Sequence, residues 1–320
     1  MEAGGYCCSS SSRAAPYPQA AVHIWPNDGL YLIAVGGGGG AAQLMPSAVL
    51  TPCIEAARKS LPPAPKVPAS ERLTSLFEGI DKCIGEVILG SRTGRAGSQR
   101  SGAEETAKAS HGSGPYAGSG AYVVGCAREV GSPNENQTLW FDNVGLGRAY
   151  SVLPHALVAL TVDDAVEPSP TGPETERRPL PSLYSRITTS ALNGRWVSHR
   201  HGDRRTPVAY HADKDAALGF ILITEVVRRA VAPTILREET TTALATPDLQ
   251  EAARRLWARL RDRWIADGGH GDGDLADSSE GRREGRRIEY DRCGALLLLR
   301  PRIPGSRSAV RSLGMTEPEW

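Results

Sequence analysis

His199, Arg200, His201, Gly202 and Asp203 bring two imidazoles and a carboxylate together within five residues. His-x-His-x-Asp on one loop suits zinc, which takes nitrogen and oxygen donors around a tetrahedron. A metal held there would lower the pKa of a bound water and make it a nucleophile, which is hydrolase chemistry. His211 and Asp213 are close enough in sequence to add donors. Arg200, Arg204 and Arg205 make the same stretch basic, and a polar loop without metal is the competing reading.

These five residues resemble the opening of the metallo-β-lactamase motif, His-x-His-x-Asp-His, with Arg204 in the place of the last histidine. Three glycine-rich stretches offer less. Leu30–Ala41 is a strand-like run ending in five glycines, and Gly36, Gly38 and Ala41 satisfy the spacing of a dinucleotide loop. Pro46 interrupts the helix that should follow, so a plain loop is expected and no cofactor. Gly268–Asp274 alternates carboxylates with glycine but lacks the twelve-residue frame of a calcium loop. Gly112–Gly120 precedes a strand, the wrong way round for a phosphate cradle. Neither a P-loop nor a Gly-x-Ser-x-Gly elbow occurs.

The strongest electrostatic feature lies at the other end. The chain carries a formal charge of only +1, yet nine arginines and three acids (Glu284, Glu289, Asp291) fall between Arg282 and Arg311. That arm is basic and the rest of the chain is slightly acidic. Arg282, Arg283, Arg286, Arg287, Arg292, Arg300 and Arg302 are its candidate phosphate contacts. Upstream, Arg254, Arg255 and Arg259 share a helical stretch with Trp257 and Trp264, which are seven residues apart and so share a face. Guanidinium groups beside aromatic rings suit irregular or single-stranded RNA. A Trp stripe in the core, with the arginines paired to Glu251 and Asp262, is the alternative for this helix.

The elements that must position these residues read as α+β. Residues 1–20 read as a disordered Ser/Ala/Pro-rich tail. Residues 21–166 read as a β-rich part, with a hairpin at Val22–Trp25 and Leu30–Val35 around Pro26-Asn27-Asp28-Gly29. Pro52–Ser60 reads as a short helix and Ser70–Ile84 as an amphipathic one. Glu86–Leu89 reads as a short strand, and 91–120 as a low-complexity insertion. Ala121–Cys126, Thr138–Phe141 and Ala149–Val162 read as an antiparallel meander. Residues 167–182 form a Pro-rich linker. In 183–300, Asp213–Val231 reads as a buried helix, and Thr246-Pro247 opens a second that stops at Gly268-Gly269. A low-complexity loop over 268–287 precedes a strand at Ala295–Leu299, and 301–320 reads as a loose tail.

Composition narrows the class. The chain has 320 residues, 40% of them hydrophobic, with 35 Gly and 23 Pro, and 32 of its 37 basic residues are arginine. No Gly-X-Y repeat or membrane-length apolar run is present. The six cysteines form no C-x-x-C pair and read as isolated thiols in a reducing, cytoplasmic setting. The stretches Ser9–Ala21, Leu61–Ser70, Glu167–Ser182 and Arg282–Arg311 are similar in composition to the Pro-Ala-Ser-rich proteins of polymycoviruses. That resemblance implies a non-enzymatic protein that coats RNA.

Three functions compete. The first is an RNA-associated structural or coat protein, oligomeric and without a membrane, contacting phosphates through its basic arm. The second is a metal-dependent hydrolase built on His199, His201 and Asp203. The third is an assembly module using Ala216–Ile223 and the Trp257/Trp264 stripe as an interface.

Overall fold

Alternation of side chains along three strands explains the architecture. In a computed structural model of the chain, residues 1–8, 19–38, 45–96, 119–130, 138–162, 191–192, 207–211, 217–267 and 279–301 are described. Strand β3 (Leu30–Gly38) sends Leu30, Leu32 and Ala34 to one face and Tyr31, Ile33 and Val35 to the other. Both sets are buried, so the strand is covered on both sides. Strands β9 (Gly219–Thr224) and β10 (Ala295–Arg300) behave the same way. Phe220, Leu222, Leu297 and Leu299 face inward, towards β3, and Ile221, Ile223, Leu296 and Leu298 face outward.

Two antiparallel five-stranded sheets result. The first runs β2 (Ala20–Trp25), β3, β4 (Ser119–Arg128), β5 (Thr138–Val144) and β8 (Val208–His211). The second runs β1 (Glu2–Cys7), β10, β9, β6 (Gly147–Val152) and β7 (Leu157–Ala159). They pack face to face around Tyr31, Ile33, Phe141, Phe220, Leu222 and Leu297. Helices α1 (Ser47–Lys59) and α2 (Ala69–Ala96) cover the outer face of the first sheet. Helices α3 (Glu225–Arg229), α4 (Pro233–Leu244), α5 (Leu249–Asp267) and α6 (Ser279–Cys293) cover the second. The α+β class expected from the sequence is the class observed, in four layers.

Several elements differ from the expectation, each for a tertiary reason. The centre of Asp213–Val231 is strand β9, not a helix. All six residues of Gly219–Thr224 are buried, and a run apolar on both faces carries no period to separate helix from strand. Glu86–Leu89 continues α2, because Ile84 and Ile88 keep its buried stripe at a spacing of four. Glu2–Cys7, inside the expected tail, pairs along its whole length with β10, nearly 300 residues away. Ser279–Cys293 overlaps the expected loop and is helical, anchored by the fully buried Tyr290. Among the described residues no helix is long and apolar enough to cross a membrane.

Candidate functional site at the sandwich end

One end of the sandwich gathers the carboxyl ends of β3, β5 and β9 and the amino ends of β2, β6 and β10. Register places Val35 opposite Ala20 and Tyr122, Val144 opposite Val123, Gly147 opposite Thr224, and Cys7 opposite Ala295. The chain crosses from one sheet to the other here, between β5 and β6. The buried Asn143 carboxamide holds that crossing, donating to the carbonyls of Gly145 (3.3 Å), Gly147 (3.2 Å) and Val162 (2.9 Å). Gly145 has φ +86°, and a Cβ there would fall 2.1 Å from the Tyr122 ring. A side chain at this position meets both a strained backbone and a clash.

Gln19 ties the first sheet to the last turn of α6, just ahead of β10. Its backbone N–H donates to Arg292 O (2.9 Å), its carbonyl accepts from Gly36 N (2.9 Å), and its Oε1 accepts from the Cys293 thiol (3.0 Å). Thr224 Oγ1 accepts from Ala295 N (3.1 Å) and donates to Ala295 O (3.4 Å). Gly36 is pressed against Met45, whose carbonyl oxygen lies 1.9 Å from where a Cβ would sit.

Burial of the Cys293 thiol pushes its pKa up to about 12, so it is a hydrogen-bond donor and not a nucleophile. Burial likewise raises the Tyr290 phenol well above its usual range. Glu225, just past β9, lies 3.6 Å from Arg229. Asp291 is 3% exposed and ion-paired to Arg261 at 2.6 Å. Asp142 accepts the Asn143 backbone N–H at 2.8 Å.

No family model and no curated protein matches the chain. Solved structures do. A serine/threonine phosphatase from Staphylococcus aureus superposes with a TM-score of 0.55 at 13% identity, covering 95% of this chain and 96% of that one. The Mycobacterium tuberculosis serine/threonine phosphatase PstP superposes at 0.51 with 14% identity, covering 93% and 96%. The catalytic domain of PstP in complex with two manganese ions superposes at 0.50 with 16% identity, covering 93% and 97%. The fold is that of these serine/threonine phosphatases.

That likeness overturns the RNA coat reading, and with it the virion and RNA-binding expectations. It favours the hydrolase alternative over the main expectation. The arginines show the physical side of the correction. Arg254 and Arg255 both pair with Glu251 at 2.6 Å, and Arg259 pairs with Glu239 at 3.0 Å. Arg300 pairs with Glu2 and donates to three backbone carbonyls. Arg287 is exposed and 3.9 Å from Asp291, Arg283 is exposed, and the half-buried Arg292 gives its carbonyl to Gln19. Arg282 and Arg286 lie on α6, and Arg302 lies outside the described residues. The arm is therefore largely a helix and a strand inside the fold. Trp257 and Trp264 are core residues, 5% exposed each, and Arg261 covers the Trp257 ring at 5.7 Å. The assembly reading falls with them, since Phe220–Ile223 and both tryptophans are enclosed by the chain itself.

The two manganese ions in a solved structure of the same fold set a test for the residues described in this chain. A pair of divalent cations needs several oxygen donors, chiefly carboxylates. Among the described residues no three His, Cys, Asp or Glu side chains stand together. Val35, Gly36, Val144, Leu146, Gly147 and Ala295 are the described residues at or near the strand ends here, and none of them carries a metal-binding side chain. The described residues do not fit a metal pair. His199, His201 and Asp203 lie outside them. The polar ties at this end, Gln19, Asn143 and Thr224, were not legible in advance. They carry no motif, and only the sheet register brings them together.

Proposed function

We propose that this chain is a non-catalytic protein on a phosphatase frame: it keeps the four-layer fold but does not hydrolyse phosphoesters with metal-activated water. The observation carrying the reading is the composition of the sandwich end. Among the described residues, aliphatic side chains and glycine stand at or near the strand ends, and the carboxylates of Glu225, Asp291 and Asp142 are engaged by Arg229, Arg261 and the Asn143 backbone. Water is a poor nucleophile at neutral pH unless a metal or a base activates it. The Cys293 thiol, held up to about 12, does not take its place. The test is turnover of p-nitrophenyl phosphate and of a phosphothreonine peptide with added Mn²⁺ or Mg²⁺. Release at the blank rate, with less than ~0.1 equivalent of bound metal, is expected. Turnover that rises with manganese overturns the reading.

The likeness to the manganese-bound phosphatase supports a second reading, metal-dependent phosphoester hydrolysis with donors from His199, His201 and Asp203. It requires manganese-dependent turnover that is lost in His199→Ala and Asp203→Ala. The same assay separates the two.

A further inference from the structure

Four guanidinium groups on the outer helical layer share two carboxylates. Glu251 serves both Arg254 and Arg255, and Glu239 serves both Arg259 and Arg263, all between 2.6 and 3.1 Å. Two positive charges are left over. Residues 251, 254, 255, 258 and 259 lie on one face of α5, because they are spaced by three and four. That face and the last turns of α4 enclose a groove of about 420 Å³. Its floor is made of small residues, Ala243, Ala252 and Ala258, and its charged lining is Arg254, Arg255 and Arg259. The three arginines are 53%, 66% and 46% exposed, so their outer donors face solvent. The carboxylates are the more buried partners, Glu251 at 31% and Glu239 at 15%. Thr242 and Thr246 also line the groove, and their hydroxyls already donate to the helix backbone. The three guanidiniums are donors only, so they select an occupant that brings acceptors.

We propose that this groove docks an acidic peptide segment of a partner protein. Its carboxylates take the free donor positions of Arg254, Arg255 and Arg259, as guanidinium forks pair with carboxylates. Its backbone lies over the alanines, where no side chain holds it off. A nucleic-acid strand fits less well. The site is short: Arg254, Arg255 and Arg259 fall within about one and a half turns of α5, a span that matches a few carboxylates and not a continuous row of phosphates. The proposal is independent of whether the sandwich end hydrolyses anything.

Fluorescence anisotropy with a fluorescein-labelled peptide of alternating glutamate and alanine tests it on the full chain. Saturable binding that weakens with added salt is expected. Arg255→Glu and Arg259→Glu, both at exposed positions, each weaken it roughly tenfold. Glu251→Gln releases two guanidiniums and tightens it a few-fold. Circular dichroism of the variants checks that α5 is intact. No saturable signal overturns the proposal, as does binding unchanged by both charge reversals. Displacement of the peptide by a short single-stranded RNA that itself binds more tightly in an Arg255-dependent way also overturns it.

Discussion

Arg300, at the end of β10, donates from one terminal nitrogen to the carbonyls of Leu244 and Thr246, at 2.8 Å each. Leu244 ends α4 and Thr246 lies just past it, where no amide of the helix remains to satisfy the carbonyls. A strand thus closes a helix more than 50 residues away in sequence, and Glu2 on β1 fixes the same guanidinium from the other side. Arg300→Ala is expected to cost about 2–3 kcal/mol, the scale of charge-assisted bonds lost with their acceptors left buried. Arg300→Lys, which lacks the fork, recovers only part of this. Urea denaturation monitored at the helix signal, with an unchanged slope, is the check.

Asn143 is the second such tie. Its carboxamide is 2% exposed and is shared among three carbonyls at the crossing between the sheets. Asn143→Ala leaves those acceptors without their donor, and a loss of about 2 kcal/mol is expected. Asn143→Asp is expected to be worse, because a carboxylate then faces carbonyl oxygens. Equal stability of wild type and Asn143→Ala in chemical denaturation would count against the crossing being held this way.

His23 on β2 gives a pH dependence. Its ring is 8% exposed, stacks on Trp25 at 5.0 Å, and has Nδ1 3.5 Å from Glu55. Burial lowers its pKa below the ordinary 6.5, and the attraction of Glu55 offsets this only in part. The folded state therefore binds a proton less readily than the unfolded state. The contribution to stability is complete above pH 6.5 and is lost as pH falls from there through the lower folded value. His23→Phe keeps a flat ring beside Trp25 and removes the titration. A flatter stability profile between pH 7.5 and 5 is expected for the variant than for the wild type.

Two thiols should be silent. Cys126 is fully buried and its pKa is raised beyond the ordinary range, and Cys293 is held near 12 while donating to Gln19. At pH 8 a thiol of that pKa is about one part in 10⁴ thiolate, and the thiolate is the reacting form. Labelling of Cys293 and Cys126 with a thiol reagent, read by peptide mass spectrometry, should appear only with denaturant. Rapid native-state labelling of Cys293 would contradict its place at the end of α6, bonded to Gln19.

The local pattern was readable wherever one face differed from the other. Leu73, Leu76, Phe77, Ile80 and Ile84 predict the buried stripe of α2, and all five are enclosed. Pro26-Asn27-Asp28-Gly29 predicts the β2–β3 hairpin, and Gly29 takes φ +63° there. The pattern failed where both faces are buried. Gly219–Thr224 and its neighbours look alike as helix or strand until a second sheet and a helical layer cover both sides. Net charge misled for a related reason. A run of arginines has the same sequence whether its partners are phosphates in solution or Glu2, Glu239, Glu251 and Asp291 in the same molecule.

By itself, then, the order of residues determined the α+β class, the hairpin, the amphipathic helices and the strand at Ala295–Leu299, because each depends on neighbours a few positions apart. Only the tertiary structure decided that β1 joins β10 and that Trp257 is core. It alone also showed that, among the described residues, Val35, Leu146 and Ala295 stand at the sandwich end and no three His, Cys, Asp or Glu side chains gather. Those outcomes rest on contacts between segments hundreds of residues apart. Burial and register settle them, and neither is written in any single stretch of the chain.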